Sequence, residues 1–281
     1  MRALFLIPGE SSRQLQAFPA VAAVADQLRA DVQVVCPPSS TALWSLHPGV
    51  SRTIPFAFSG ANLADWANLL GSVREPDFQL CINRASGRQV DLMLSMSHIP
   101  TRIAAGGFSA TERVGASSEG WPSQDDWQGY LQPVGVRLEA ESFRLALPKA
   151  DLDTAAAELP PGDGPLLLLA PQGGSGDWPE RHWQALPDLI RQRLPGLRTL
   201  KTSTGAPGSL RQQAARLASA DVVLSSDPVS TELALLLGLP LVALGRSSAT
   251  LPERPGVQGL GDGGALTAIE TAAVLQALGF N

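Results

Sequence analysis

The polar residues Asp227, Ser230, Thr231 and Glu232 gather where an apolar strand hands over to an apolar helix, within ADVVLSSDPVSTELALLLGLPLVALG at 220–245. The flanking runs Val222–Leu224 and Leu241–Leu244 read as strands buried on both faces. Asp227 caps the intervening helix and Pro228 fits its first turn, where a missing N–H costs nothing. Ser230, Thr231 and Glu232 then stand in the first turns, beside unpaired N–H groups and the positive end of the helix dipole, a setting that suits phosphate. Glu232 repels phosphate but can accept hydrogen bonds from a ribose diol. Its plainer reading is a solvated residue on an exposed helix turn, and that of Asp227 is a cap alone. A second candidate is the turn after the strand LLLLA, where Gln172, Gly173, Gly174, Ser175 and Gly176 can wrap a diphosphate with backbone N–H groups. Trp178 follows, placed either to pack or to stack on a base.

Other chemistries fail on spacing. His47, His98 and His182 lie far apart in the chain, without cysteine or carboxylate neighbours at metal-ligand spacing. GGSGD breaks the nucleophile-elbow pattern at its last position. PGESSR after the first strand fits neither the dinucleotide fingerprint nor the phosphate-binding loop of nucleotide hydrolases. The net charge of -5 argues against a nucleic-acid partner, because counterion release needs clustered cations. With lysine only at 149 and 201, a polybasic anchor is missing and any membrane contact would be peripheral. Cys36 and Cys81 fall inside apolar, strand-like runs, so two buried reduced thiols and a cytoplasmic location are expected.

The elements that would position these residues follow βαβ grammar. Strands are expected at RALFLIP, DVQVVCP, SRTIPF, DFQLCIN and TRIAAGG, with helices between them, then a Gly-, Ser- and Trp-rich loop over 106–124. The Pro- and Gly-rich stretch 148–165 reads as a hand-over between domains. Beyond it LLLLA, LRTLKT, DVVLSS and LVALG give only about four strands. The expected fold is α/β, with two Rossmann-like domains (1–150 and 160–281) facing each other across a cleft. The second is shortened, and its final helix is expected to pack back on the N-terminal domain. A monomer is expected.

Four segments resemble the GT-B glycosyltransferases of family 9, typified by the ADP-heptose:lipopolysaccharide heptosyltransferases. They are MRALFLIPGESSRQLQAFPAVAAV, PDFQLCINRASGRQVDLMLSMSHIPTRIAAGG, APQGGSGDWPERHWQAL and the 220–245 segment. The resemblance implies metal-independent, inverting transfer of a heptose-like sugar from an ADP-linked donor to a lipopolysaccharide or other glycan or glycolipid acceptor, with no cofactor. It places donor contacts in the C-terminal half and the acceptor on the N-terminal half. The family's first-loop Asp, taken as the base, is replaced by Arg13, which cannot take a proton. Glu10 is the nearest carboxylate, and Arg13 can instead pair with a phosphate. Ser11, Ser12, Arg84 and Arg88 are the acceptor-side candidates. The family's Lys before the Trp is Gly176 here, and its Asp-Ser-Gly-x-x-His block becomes Asp227 to Glu232. One βα unit is missing between LRTLKT and DVVLSS. Arg13 and Gly176 equally suit a descendant that binds a nucleotide, sugar or protein partner without transfer.

Overall fold

The computed structural model describes residues 1–115, 120–202 and 209–280. These divide into two compact units, Met1–Phe143 and Arg144–Asn281. In the first, the chain runs β1 (Arg2–Leu6), α1 (Ser11–Gln16), α2 (Phe18–Gln27), β2 (Asp31–Cys36), α3 (Thr41–Trp44), β3 (Val50–Pro55), α4 (Leu63–Arg74), β4 (Leu80–Asn83), α5 (Arg88–Met96), β5 (Thr101–Ala104), β6 (Glu112–Arg113) and α6 (Trp127–Leu131). All six strands are parallel, in the order β3-β2-β1-β4-β5-β6. Ala3, Leu4, Phe5 and Leu6 are fully buried because β1 lies mid-sheet with both faces covered. Leu4 and Leu6 join a core with Trp66 and Leu69 of α4 and Met93 and Leu94 of α5. Phe5, pointing the other way as strand alternation requires, meets Trp127 at 6.2 Å between ring centroids. The predicted loop 106–124 holds the short edge strand β6, and its residues 116–119 lie outside the described residues.

The second unit runs α7 (Lys149–Ala157), β7 (Leu166–Ala170), α8 (Glu180–Arg191), β8 (Arg198–Lys201), α9 (Leu210–Ala218), β9 (Val222–Ser225), α10 (Pro228–Leu237), β10 (Leu241–Leu244), β11 (Val257–Leu260) and α11 (Thr271–Ala277). Its parallel sheet is ordered β11-β10-β9-β7-β8. Numbered within the unit this is 2-1-3-4-5, one strand short of the 3-2-1-4-5-6 order of the first sheet, and β8 forms the edge where another strand would pair. The strand order reverses between β7 and β9, the place where open α/β sheets take ligands. β11 was not foreseen, since GVQGLG carries few apolar residues. The hand-over segment also holds a helix, α7, which is tied to α9 by the ion pair Asp151–Arg211 and, from its C-cap, by Glu158–Arg216. The buried Trp183, Leu186 and Ile190 of α8 pack on Leu167, Leu169, Leu224 and Val242 of the sheet. Val274 of α11 joins that same core, so the final helix packs within its own unit.

Candidate functional site: a pocket at the strand ends of the C-terminal unit

α10 forms where the sequence places it. Asp227 is its N-cap, accepting from the Ser230 N–H at 2.8 Å and the Ser230 hydroxyl at 2.6 Å. Gly238 ends the helix in the left-handed conformation at φ 77°. Ser230 also receives a hydrogen bond from Gln213 at 2.9 Å, and the Thr231 hydroxyl donates to Ser225 Oγ at 3.0 Å. Much of the polar cluster is thereby spent on building the helix start.

A cavity of about 240 Å³ opens at the carboxyl ends of β7, β9 and β10, lined among others by Gln172, Gly176, Ser226, Thr231, Arg246 and Gly263. Asp177 fixes its turn. This carboxylate, 7% exposed, accepts from the Gly173 N–H at 2.7 Å, the Trp178 N–H at 2.7 Å and the Ser226 hydroxyl at 2.6 Å. Ser226 Oγ in turn accepts the Gln172 N–H at 2.8 Å. The turn stays open at Gly173 and Gly174, whose φ angles of 80° and 85° are ones glycine adopts without strain. Gly173, Gly174 and Ser175 are exposed.

Glu232 is 2% exposed and pairs with Arg246, Nη1 to Oε1 at 3.0 Å. The guanidinium is also held by Thr250, through Nε to Oγ1 at 3.1 Å and Nη2 to the carbonyl at 2.7 Å. Arg246, unlike Glu232, lines the cavity. Trp178 is a packing residue: it is 1% exposed, its Nε1 donates to the Ile269 carbonyl, and its ring meets His182 and Trp183.

In the N-terminal unit, Glu10 is the exposed N-cap of α1 and gives that helix no side-chain bond, while Ser11 and Ser12 are half-buried and Arg13 is exposed. The loop before them is pinned by Gln14, fully buried, whose Nε2 donates to the Ile7 carbonyl at 2.8 Å and whose Oε1 accepts from Trp44 at 2.9 Å. Arg84 follows β4 and donates its N–H to Leu6, bringing it beside the end of β1. Its guanidinium pairs with Asp126 at 2.5 Å and lies over the Trp127 and Tyr130 rings at 4.9 and 4.7 Å. Arg88 is exposed at the start of α5.

Sequence reasoning missed Arg246 and Asp177. A signal for Arg246 was available: it is the first charged residue beyond the apolar strand LVALG, at a strand's carboxyl end, where ligands gather.

No family model and no curated protein matches the sequence. Solved structures do match it, over almost the whole chain. The glycosyl transferase family 9 structure from Veillonella parvula aligns with a TM-score of 0.82 and 12% identity, covering 99% of this chain and 96% of that one. E. coli ADP-heptose lps heptosyltransferase II aligns at 0.77 and 16%, covering 99% and 98%. E. coli heptosyltransferase WaaC with ADP-2-deoxy-2-fluoro heptose aligns at 0.73 and 16%, covering 99% of both chains. The chain therefore has the two-domain GT-B fold of these glycosyltransferases.

Proposed function

We propose that this protein is a glycosyltransferase that takes a nucleotide-activated sugar in the C-terminal unit and passes it to a glycan acceptor bound by the N-terminal unit. The observation that carries this reading is the cavity at the β7–β9–β10 strand ends, lined by Gln172, Ser226, Thr231 and Arg246, in a chain that follows GT-B enzymes nearly end to end. Two of the matched structures are an ADP-heptose lps heptosyltransferase and a heptosyltransferase with ADP-2-deoxy-2-fluoro heptose. An ADP-linked heptose and a lipopolysaccharide-type acceptor are accordingly the substrates proposed. The acceptor hydroxyl attacks the anomeric carbon, the bond from that carbon to the diphosphate oxygen breaks with release of the nucleoside diphosphate, and the anomeric configuration is inverted. Glu10 is the carboxylate proposed to take the hydroxyl proton. Ser11, Ser12, Arg84 and Arg88 are proposed on the acceptor side. The buried, unbridged Cys36 and Cys81 fit a reducing compartment, and the cytoplasm is the location proposed. Among the described residues no helix is long and apolar enough to cross a membrane.

Calorimetry with ADP, UDP and GDP, followed by ADP release from ADP-heptose with a lipopolysaccharide-core acceptor, tests this. ADP binding and turnover that persists in a metal chelator are expected. Glu10→Gln should lower kcat by about 100-fold or more while leaving ADP affinity unchanged. Absence of nucleotide binding at millimolar concentration sinks the donor reading, and nucleotide binding without turnover on any acceptor converts it to a binding protein.

A further inference from the structure

We propose that Arg246 is the residue that binds the diphosphate of the donor nucleotide, and that Glu232 acts through it as its positioning residue. The inference rests on the donor-site reading above and assigns the charge that site needs.

Arg246 is the one cationic side chain lining the cavity among the described residues. A guanidinium has five N–H groups in a planar fork. Among the described residues three are engaged, one to Glu232 and two to Thr250, which leaves one on each Nη. Two N–H groups in one plane are what bidentate recognition of phosphate oxygens uses. Their direction is set before any ligand arrives, because Thr250 holds the Nε edge and Glu232 holds Nη1. Pre-set donors lose little rotamer freedom on binding.

The neighbouring carboxylates do not compete for that fork. Asp177 is occupied by Gly173, Trp178 and Ser226, and Asp227 by Ser230. The helix start offers less than its dipole promises: Pro228 has no N–H, Ser230 N–H goes to Asp227, and Thr231 N–H goes to the Asp227 carbonyl. The strongest remaining attraction for an anion at this sheet end is the Arg246 guanidinium. Glu232, at 2% exposed, is screened from ligand by the guanidinium paired with it, and that arrangement separates the two roles.

The test is calorimetric titration of the full-length chain with inorganic pyrophosphate and with ADP, across a salt series. The variants are Arg246→Lys, Arg246→Met, Glu232→Gln and the double change Arg246→Met with Glu232→Gln, which removes both charges and so leaves no buried carboxylate unpaired. Losing a charged hydrogen bond should weaken both ligands about 30-fold in the double variant, flatten the salt dependence, and leave Arg246→Lys between the two. Glu232→Gln should weaken pyrophosphate about fivefold with Arg246 present, and cause no further loss where residue 246 is already Met. Equal affinity for ADP in wild type and double variant overturns the assignment of Arg246 while leaving the nucleotide site standing. Pyrophosphate binding that depends on Arg246, with no binding of any nucleotide, supports the anion site and sinks the donor reading. If neither pyrophosphate nor ADP binds wild type, both fall. A Glu232→Gln effect that persists without Arg246 overturns the positioning role.

Discussion

His47 shows how a single buried side chain in the N-terminal unit links packing to pH. The Gly49 N–H donates to its Nδ1 at 3.0 Å, so that nitrogen carries no proton, and Nε2 lies 3.0 Å from the Phe18 carbonyl, to which it donates. The neutral imidazole is thus built in, stacked on Phe143 at 5.6 Å and edge-on to Phe18 at 4.9 Å. Burial, the largest influence, lowers its pKa from 6.5 to about 4. Because the folded value lies below the unfolded one, the unfolded chain binds a proton first as pH falls. The stability that the neutral ring contributes is fully present above pH 6.5 and is lost as pH drops toward about 4, a change of about 3 kcal/mol. Urea unfolding at pH 7.5 and pH 4.5 should show this component in wild type and not in His47→Gln. Parallel pH profiles for the two proteins would refute it.

The elements around the pocket are held by close backbone approach as much as by side chains. Gly259 sits mid-strand in β11, opposite Ala243 of β10. A Cβ added there would lie 2.3 Å from the Arg246 carbonyl oxygen and 2.8 Å from the Ser248 nitrogen, both backbone atoms that cannot swing aside. Gly259→Ala must therefore push the β10 end outward, at a cost of about 1–3 kcal/mol, and carry Arg246 with it. The expected result is a lower unfolding midpoint together with ADP affinity weakened about tenfold; unchanged affinity would show that the β10 end does not govern the pocket. Long apolar runs made β1, β7, β9 and β10 visible from sequence, since mid-sheet parallel strands need hydrocarbon on both faces. β11 stayed hidden because four residues, Val-Gln-Gly-Leu between glycines, make too short and too broken an apolar run to show such a pattern, and α7 because its Pro- and Gly-rich flanks resemble a linker. The helix-start cluster was located correctly as an element. The hydrogen bonds inside it, which direct Ser230 to Asp227 and Thr231 to Ser225, depend on rotamers that residue spacing does not encode. Nor does spacing encode the Glu232–Arg246 pair, whose partners are 14 residues apart and meet only because α10 returns the chain to β10.

At the scale of the molecule, the two sheets share a construction principle but differ in completeness, and each unit keeps its own core. Leu4, Trp66 and Met93 belong to one cluster and Leu169, Trp183 and Val274 to another, with the candidate donor pocket lined entirely by residues of the second unit. A ligand that binds one folded unit stabilises that unit by RT ln(1 + [L]/Kd), which is about 2.7 kcal/mol at a hundredfold excess over Kd. Amides that exchange only when a whole unit opens report that gain directly. With ADP at that excess, hydrogen exchange in β7, β9 and β10 should slow about 100-fold, because the pocket opens at the carboxyl ends of these strands. Exchange in β1, β2 and β4 should remain at its unliganded rate, because the proposed nucleotide pocket is lined by residues of the other unit. Equal protection of both sheets would mean that the chain opens as one cooperative body, with stability shared across it. Protection confined to β1 and β4 would move the nucleotide to the N-terminal unit and remove the physical basis for assigning the donor to the C-terminal one.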